Sequence, residues 1–252
     1  MPRLMATNDD QVISIPGPGS FQFSAIRLED LGASEYTLVT IVCDISGSVA
    51  PFAAGLLKCI KSIVGACQKS PRSQNLLLRL LVFNYTVMEI HGFKNLDTID
   101  LDAYDPLKPD GMTALYDGTY DAVGATLEFS KTLKQNDYDD VNGIVFIITD
   151  GMDNRSKIHP VDIAEKIAIG KKGEIIVELI TILVALNEPK YPDPEVTKYL
   201  SIFQAEAKID QFIDLGDATP EALAKLANFA SGSISSASEA IASGTPSQQL
   251  TI

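Results

Sequence analysis

Several segments of this chain are apolar on both faces, and two of the three clearest are followed by a stretch with helical periodicity. Residues 37–43, 76–83 and 143–149 are rich in β-branched and aliphatic side chains. Strands of this kind lie inside parallel sheets that are covered on both faces. Because such strands alternate with helical patterns, the sequence predicts an α/β fold: a doubly wound, mostly parallel sheet with helices on both faces.

The chain divides into three parts by its local patterns. Residues 1–35 contain two short apolar segments around Pro16-Gly17-Pro18-Gly19, which predict an added N-terminal β-hairpin or arm. Residues 36–232 carry the alternating pattern, whose last helix begins after Thr219 with Pro220 at its first position. Gly232 is predicted to stop that helix, and residues 233–252 are predicted to form a Ser-rich flexible tail.

Length, net charge and cysteine spacing limit the number of domains, the kinds of binding partner and the cellular compartment that we expect for this chain. The 252 residues suffice for one large α/β domain, and 46% of them are hydrophobic. A net charge of −13 argues against nucleic acid or an anionic membrane as the main partner.

The cysteine spacing predicts free thiols. Cys59 and Cys67 are eight residues apart on a predicted helix, about 12 Å along its axis, which is too far for a disulfide bond. Reduced thiols favour a cytoplasmic location.

Oxygen-bearing side chains stand at the ends of the predicted strands. The first buried strand runs directly into Asp44-Ile45-Ser46-Gly47-Ser48, and the strand 143–149 is followed by Asp150. Thr113 precedes the second predicted helix. Ligands of doubly wound sheets bind outside the carboxyl ends of the strands, so these side chains are expected to converge. Carboxylate and hydroxyl oxygens suit Mg²⁺ or Mn²⁺, which we favour over Ca²⁺.

Each of these residues also has a purely structural interpretation. Asp44 and Ser46 could cap the helix that follows, and Thr113 could be the N-cap of the next helix. Asp150-Gly151 alone would be read as a plain turn. Asp117 and Asp153 lie near the site in sequence and could support the metal ligands or be exposed charges, of which we favour exposed charges. The two histidines, His91 and His159, are predicted to be solvated or structural.

The set Asp44-x-Ser46-x-Ser48, Thr113 and Asp150 resembles the metal-ion-dependent adhesion site (MIDAS) of the von Willebrand factor type A (vWA) family, over residues 36–232. The resemblance implies a Rossmann-like vWA fold. It further implies that Ser46 and Ser48 bind the metal directly, that Thr113 does so when a ligand is engaged, and that Asp44 and Asp150 act through water. An ion with few anionic ligands stays electron-poor, so a partner protein is expected to supply an Asp or Glu side chain.

The segment 111–117 is similar to that of intracellular bacterial and phage members of the family. Such members often work beside a ring-forming ATPase of the MoxR type or in stress and phage-related systems. The oligomeric state is left open by the sequence.

A metal-dependent hydrolase or phosphatase on a similar sheet is the alternative function. Two features of the motif argue against it. A phosphate-transferring aspartate would need a second acid two residues on, where Ser46 stands, and Ser46 is not preceded by the glycine of a nucleophile elbow. The chain is therefore predicted not to be an enzyme.

Overall fold

The predicted α/β fold is confirmed, with helices on both faces of an eight-stranded sheet in the described part of the chain. The computed structural model of the protein describes residues 10–138, 140–187, 193–247 and 251. The strands are β1 Asp10–Ile15, β2 Phe21–Ile26, β3 Glu35–Asp44, β4 Leu76–Phe83, β5 Val87–Asn95, β6 Asp140–Thr149, β7 Glu178–Asn187 and β8 Gln211–Asp217. The helices are α1 Ala53–Gln68, α2 Leu115–Lys134, α3 Pro160–Gly170, α4 Pro194–Ala207 and α5 Pro220–Ser243.

The strand order across the sheet is β1-β2-β5-β4-β3-β6-β7-β8. Five neighbouring strands are mutually parallel, namely β4, β3, β6, β7 and β8. Strand β5 runs antiparallel to β4. From β3 the chain first moves to β4 on one side and later returns to β6 on the other. The strand order therefore reverses between β3 and β6, and this switch point is where ligands bind in such sheets.

The sheet separates two apolar cores. One core lies beneath α2, α3 and α4, and the other beneath α1 and α5. Alternate residues of β3 enter the two cores: Leu38 and Val42 face α2, whereas Val39 and Ile41 face α1 and α5. This two-sided burial explains why the central strands read as unbroken apolar runs.

The N-terminal hairpin is present as an addition to the sheet edge. Its strands β1 and β2 pair antiparallel, and β2 meets β5 where Ala25 lies opposite Phe93. Phe23 is fully buried, with its ring 5.9 Å from that of Phe93 and 6.3 Å from that of Phe129 in α2. The hairpin therefore shares the core under α2. Residues 1–9 of the predicted arm lie outside the described residues.

The prediction that Gly232 stops the last helix is wrong, because α5 continues to Ser243. Residues 233–243, predicted to begin a flexible tail, are helical, and Ile234, Ala237 and Ala240 are buried against the sheet. A glycine inside a helix costs about 1 kcal/mol, which this burial outweighs. The helix ends at Gly244, which adopts φ +64°. Of the remaining predicted tail, positions 248–250 and 252 lie outside the described residues.

Neither a membrane-spanning helix nor a disulfide is found among the described residues. Within the described ranges, no helix combines the length and apolar character needed to cross a bilayer. Cys43, Cys59 and Cys67 are buried free thiols, as the spacing predicted. Burial raises the pKa of both Cys59 and Cys67 to about 12, so these thiols are poor nucleophiles.

A buried cluster of charges joins four elements on the α2 side of the sheet. Arg79 in β4 places Nε 2.7 Å from Glu89 Oε2 in β5 and Nη2 2.8 Å from Asp121 Oδ1 in α2. Glu89 also accepts hydrogen bonds from the backbone amide and hydroxyl of Ser24 in β2. The guanidinium lies over the Phe23 ring, 5.4 Å from its centroid. The only polar residue that interrupts the predicted strand 76–83 is thus the centre of a network.

His91 has a structural role beside this cluster. Its Nδ1 lies 2.9 Å from the carbonyl oxygen of Gly92, and its Nε2 lies 2.8 Å from the hydroxyl of Tyr104. A neutral ring that donates from Nδ1 and accepts at Nε2 satisfies both contacts. Burial lowers the pKa of His91 to about 4, with smaller contributions in the same direction from Lys94 and Arg79.

We expect His91 to make folding stability depend on pH. The unfolded ring binds a proton below about pH 6.5, whereas the folded ring does so only near pH 4, so acidification between these values favours unfolding. The free energy of unfolding should fall by up to about 3 kcal/mol across this window because of His91 alone. Chemical denaturation at a series of pH values should show a shallower decline for His91→Gln than for the wild type.

Candidate metal centre

The two aspartates of the motif meet at the switch point of the sheet. Strand β3 ends at Asp44, and β6 ends one residue before Asp150. These strands pair in parallel, with Cys43 opposite Ile148. Both carboxylates therefore lie at the carboxyl edge of neighbouring strands, as the sequence predicted.

Asp44 is held by two hydrogen bonds in a buried position. Its Oδ1 accepts the backbone amide of Ser46 at 2.7 Å, and its Oδ2 accepts the hydroxyl of Thr149 at 2.6 Å. Only 1% of its surface is exposed, and burial raises the pKa of its carboxyl group although both hydrogen bonds oppose that shift. Among the described residues, no Lys, Arg or His side chain forms an ion pair with Asp44. A bound cation would supply the missing positive charge.

The two serines connect Asp44 to Asp150. The Ser46 and Ser48 hydroxyl oxygens are 3.1 Å apart, and Ser48 donates to Asp150 Oδ1 at 3.0 Å. Ser46 and Asp150 are buried, whereas Ser48 is exposed. Asp44 and Ser46 do not cap the helix that follows, because α1 begins at Ala53 and has Phe52 at its N-cap. Ser46 stands at the N-cap position of the short turn Gly47–Val49, but its side chain makes no capping hydrogen bond there.

The Thr113 hydroxyl enters the same space from the loop before α2. A side-chain carbon placed on Gly151 would lie 3.3 Å from Thr113 Oγ1 and 3.8 Å from Asp44 Oδ2. Both oxygens thus face the backbone of Gly151. Within the described part of the chain the Thr113 hydroxyl makes no hydrogen bond, although only 5% of the residue is exposed. It is an oxygen donor positioned for a ligand.

Helix α2 is capped by another loop, and Thr113 is not its N-cap. The N-cap position is Ala114, whose side chain cannot accept a hydrogen bond. Instead, Asn154 accepts the Thr113 amide at 2.8 Å, and the Ser156 hydroxyl accepts the Asp117 amide at 3.0 Å. The Asn154 amide in turn donates to the Thr113 carbonyl at 3.0 Å. The loop after β6 therefore fixes both Asp150 and Thr113.

Asp117 and Asp153 support this loop, and the prediction that they are exposed charges is wrong. Both are half-buried. Asp153 accepts the backbone amide of Tyr116 at 3.2 Å, and Asp117 Oδ1 accepts those of Lys157 and Ile158 at 2.9 and 3.0 Å. Sequence reasoning missed this role because each contact joins residues about 40 positions apart.

The rim of the site carries exposed apolar surface. Gly111 adopts φ +80°, and its carbonyl accepts the amide of Gly47 at 3.2 Å. The Tyr85 ring packs on Gly111, where a side-chain carbon would lie 1.9 Å from the ring, so only glycine fits. Tyr85 remains 45% exposed and Met112 44% exposed, whereas Met152 packs against the core under α2.

The donor set fits a hard divalent cation. Two carboxylates and three hydroxyls converge, and no His or Cys side chain is among them. The described residues contain no group of three or more His, Cys, Asp or Glu side chains that could hold a metal ion, so hydroxyl oxygens would have to complete the site. Oxygen-only donors of this kind suit Mg²⁺ or Mn²⁺ better than ions that prefer imidazole or thiolate.

Comparison with known proteins identifies the fold. No protein-family model matches the chain, and no curated protein matches it by sequence. Among solved structures, a mutant of the PilB minor pilin from Streptococcus sanguinis superposes with a TM-score of 0.52 at 13% identity, covering 96% of this chain and 78% of that one. The pilus adhesin SpaC from Lactobacillus rhamnosus GG gives a TM-score of 0.53 at 11% identity, covering 80% of this chain and 31% of the adhesin.

A third similar structure bears on the site. Proximal thread matrix protein 1 from the mussel byssus, with a zinc-occupied MIDAS motif, superposes with a TM-score of 0.50 at 16% identity. The alignment covers 81% of this chain and 46% of the mussel protein, so the chain spans less than half of that relative. Identities this low show the fold alone, and that fold is vWA-like.

Proposed function

We propose that this chain is a metal-dependent protein-binding module whose ion accepts an Asp or Glu side chain from a partner protein. The observation that carries the proposal is the buried Asp44 carboxylate, without a cationic partner among the described residues, beside the unbonded Thr113 hydroxyl. A divalent ion there would satisfy both groups. It would also outweigh the negative charge of the chain at this point, as bound cations do locally.

Ser46, Ser48 and Thr113 would hold the ion directly, and Asp44 and Asp150 would hold it through water. This division follows the resemblance to the adhesion site. It is supported by the hydrogen bonds of Asp44, whose two oxygens already accept an amide and a hydroxyl. The ion would supply an open coordination position for a carboxylate.

We propose Mg²⁺ or Mn²⁺ as the resident ion. The zinc-occupied site of the mussel protein makes Zn²⁺ the necessary comparison. Calorimetric titration of metal-free protein with each of Mg²⁺, Mn²⁺, Ca²⁺ and Zn²⁺ should show saturable binding of one Mg²⁺ or Mn²⁺ per chain. Folded protein that binds neither ion, with folding verified by circular dichroism, would contradict the proposal.

We further propose that the site is not catalytic. The Ser46 hydroxyl lies 3.1 Å from that of Ser48, and among the described residues no imidazole or lysine lies within hydrogen-bonding distance to act as its base. Turnover of a generic phosphoester in the presence of Mg²⁺ would favour the hydrolase alternative. Absence of turnover by protein shown to bind the metal is the expected result.

We also propose a cellular compartment and a class of partner protein. The buried, reduced cysteines are compatible with the cytoplasm, where a MoxR-type ATPase would be the partner class. The pilin and adhesin structures of similar fold suggest a cell-surface setting as the competing possibility. Fractionation of the native host with an antibody against the chain would distinguish the two.

Partner binding should depend on chelation more than on ionic strength. An inner-sphere bond between metal and carboxylate is screened by salt less than an ion pair at the surface. Affinity capture from a native-host lysate should be run in Mg²⁺, in EDTA, and in Mg²⁺ with raised salt. Partners retained in raised salt but lost in EDTA are expected; partners that survive EDTA and are lost in salt would mean that binding uses the general surface.

A further inference from the structure

A groove runs from the rim of the candidate metal centre towards the N-terminal hairpin. It has a volume of about 390 Å³. Three walls enclose it: the hairpin turn, the β4–β5 turn and the loop after β6. Its lining residues are Gly19, Ser20, Phe21, Tyr85, Thr86, Val87, Asp117, Arg155, Lys157 and Ile158. We call it the hairpin groove.

The floor of the hairpin groove is apolar and its rim is basic. Phe21, Val87 and Ile158 are buried side chains at the floor. Arg155 and Lys157 are exposed, and neither forms an ion pair with any described residue. Two exposed basic residues two positions apart, Arg155 and Lys157, without an ion-pair partner among the described residues, are unexpected on a chain of net charge −13.

Hydrogen bonds within the chain hold two of the three walls of the groove in place. Tyr120 donates from its hydroxyl to the Pro16 carbonyl at 3.2 Å, and Lys166 donates to the same carbonyl at 2.5 Å, which anchors the hairpin turn. Asp117 accepts the amides of Lys157 and Ile158 and so holds the opposite wall. A preformed groove lowers the ordering cost of binding.

The groove is continuous with the candidate metal centre. Tyr85, which lines the groove, packs on Gly111, whose carbonyl accepts the amide of Gly47 within the metal-site loop. On the other side, Arg155 directly follows Asn154, which binds the backbone of Thr113. A chain segment that reaches the metal can therefore continue into the groove.

We propose that the hairpin groove binds an acidic segment of the partner protein that carries a large apolar side chain. This inference rests on the proposed function, because the same partner would place its carboxylate on the metal. The apolar side chain would lie against the exposed ring of Tyr85, and flanking Asp or Glu residues would pair with Arg155 and Lys157. Asp117 is the one carboxylate among the described residues of the lining, and its Oδ1 is already occupied by two amides.

A peptide selection tests the groove. A random dodecapeptide library displayed on phage should be selected on the wild-type protein in Mg²⁺, and the enriched peptides should be synthesised with a fluorescent label. We expect enrichment of acidic residues next to an aromatic or large aliphatic residue. The double substitution Arg155→Glu with Lys157→Glu should weaken binding of these peptides at least about tenfold.

A matched variant separates local from global charge effects. Lys58 in α1 and Lys225 in α5 are exposed on the opposite side of the sheet, so Lys58→Glu with Lys225→Glu changes the net charge by the same amount. Peptide affinity should be close to wild type in this variant. Equal weakening in both double variants, or failure to enrich acidic peptides, would overturn the groove proposal.

Repeating the peptide-binding measurements in Mg²⁺ and in EDTA distinguishes failure of the groove proposal from failure of the proposed function. Peptides that lose binding in EDTA but still bind Arg155→Glu with Lys157→Glu would refute the groove and retain the metal function. Peptides that bind equally in EDTA but not to that double variant would retain the groove and refute metal bridging. Thermal melting of every variant should match wild type, so that loss of binding is not loss of folding.

Discussion

Asp44→Ala is expected to reduce the affinity for Mg²⁺ by about 100-fold or more, while the metal-free protein stays folded. Substitution of residues that orient a metal site typically costs 10–100-fold in affinity, and Asp44 also supplies a buried negative charge without a cationic partner among the described residues. Calorimetry with Mg²⁺ and Mn²⁺ measures the effect. Asp140→Ala, which removes one exposed carboxylate at the opposite end of β6, is the matched control and should bind metal normally.

The stability of the Asp44→Ala protein provides an independent check. Burial raises the pKa of Asp44 in the metal-free fold, so this buried carboxyl group costs the folded state stability as pH rises from the ordinary carboxyl pKa through the raised one. Removing it in EDTA should therefore change the melting temperature little, since only two hydrogen bonds are lost. Wild-type protein should melt higher when Mg²⁺ is added, and the variant should not. A large loss of stability in EDTA would assign Asp44 a structural role instead.

Arg79→Met is expected to lower the free energy of unfolding by about 3–5 kcal/mol. The substitution keeps the apolar volume but leaves Glu89 and Asp121 buried without their cation. Both carboxylates are 2% exposed or less. Denaturation by urea at neutral pH, followed by circular dichroism, measures the loss.

Two controls separate the lost charge from lost packing. Combining Arg79→Met with Glu89→Gln and Asp121→Asn removes the unpaired charges and should recover most of the stability, because the cost of a broken buried ion pair is mainly that of the charge left behind. The single variant should also be less impaired at acidic pH. Burial raises the pKa of Asp121 even beside Arg79, so protonation favours the folded state as pH falls. An equal loss in the single and triple variants would show that packing alone matters.

The elements and the candidate site could be predicted because their signals are local. Apolar runs that end in Asp44 and Thr149 predict two buried strands, and a doubly wound sheet places the ends of its parallel strands at one edge. The extent of α5 could not be predicted in the same way. Gly232 gave a local stop signal, and burial of Ile234 and Ala237 overrode it. The pattern of small residues up to Gly244 was the available clue.

The side-chain networks could not be predicted from the sequence, for a different reason. Arg79 reads as an interruption in an apolar strand, because its partners at positions 89 and 121 are identified only by strand register and helix placement. The same holds for capping of α2 by Asn154 and Ser156. Local pattern does not encode pairs of this kind, and they determine how rigidly the candidate site is held.

The parallel pairing of β3 with β6 has a consequence for how the protein is made. Asp44 and Thr149, which meet through it, are 105 positions apart. Forming a contact between residues so far apart in sequence requires closing a long loop, and the entropy cost of that closure precedes any stabilisation from the contact. Contacts of this kind are associated with slow folding. Residues beyond Asp150 must leave the ribosome before the proposed cation site could form, and a chain interrupted earlier would lack part of that site. Metal-dependent binding would thus be a property of complete molecules, which would prevent a partially folded copy from occupying its partner.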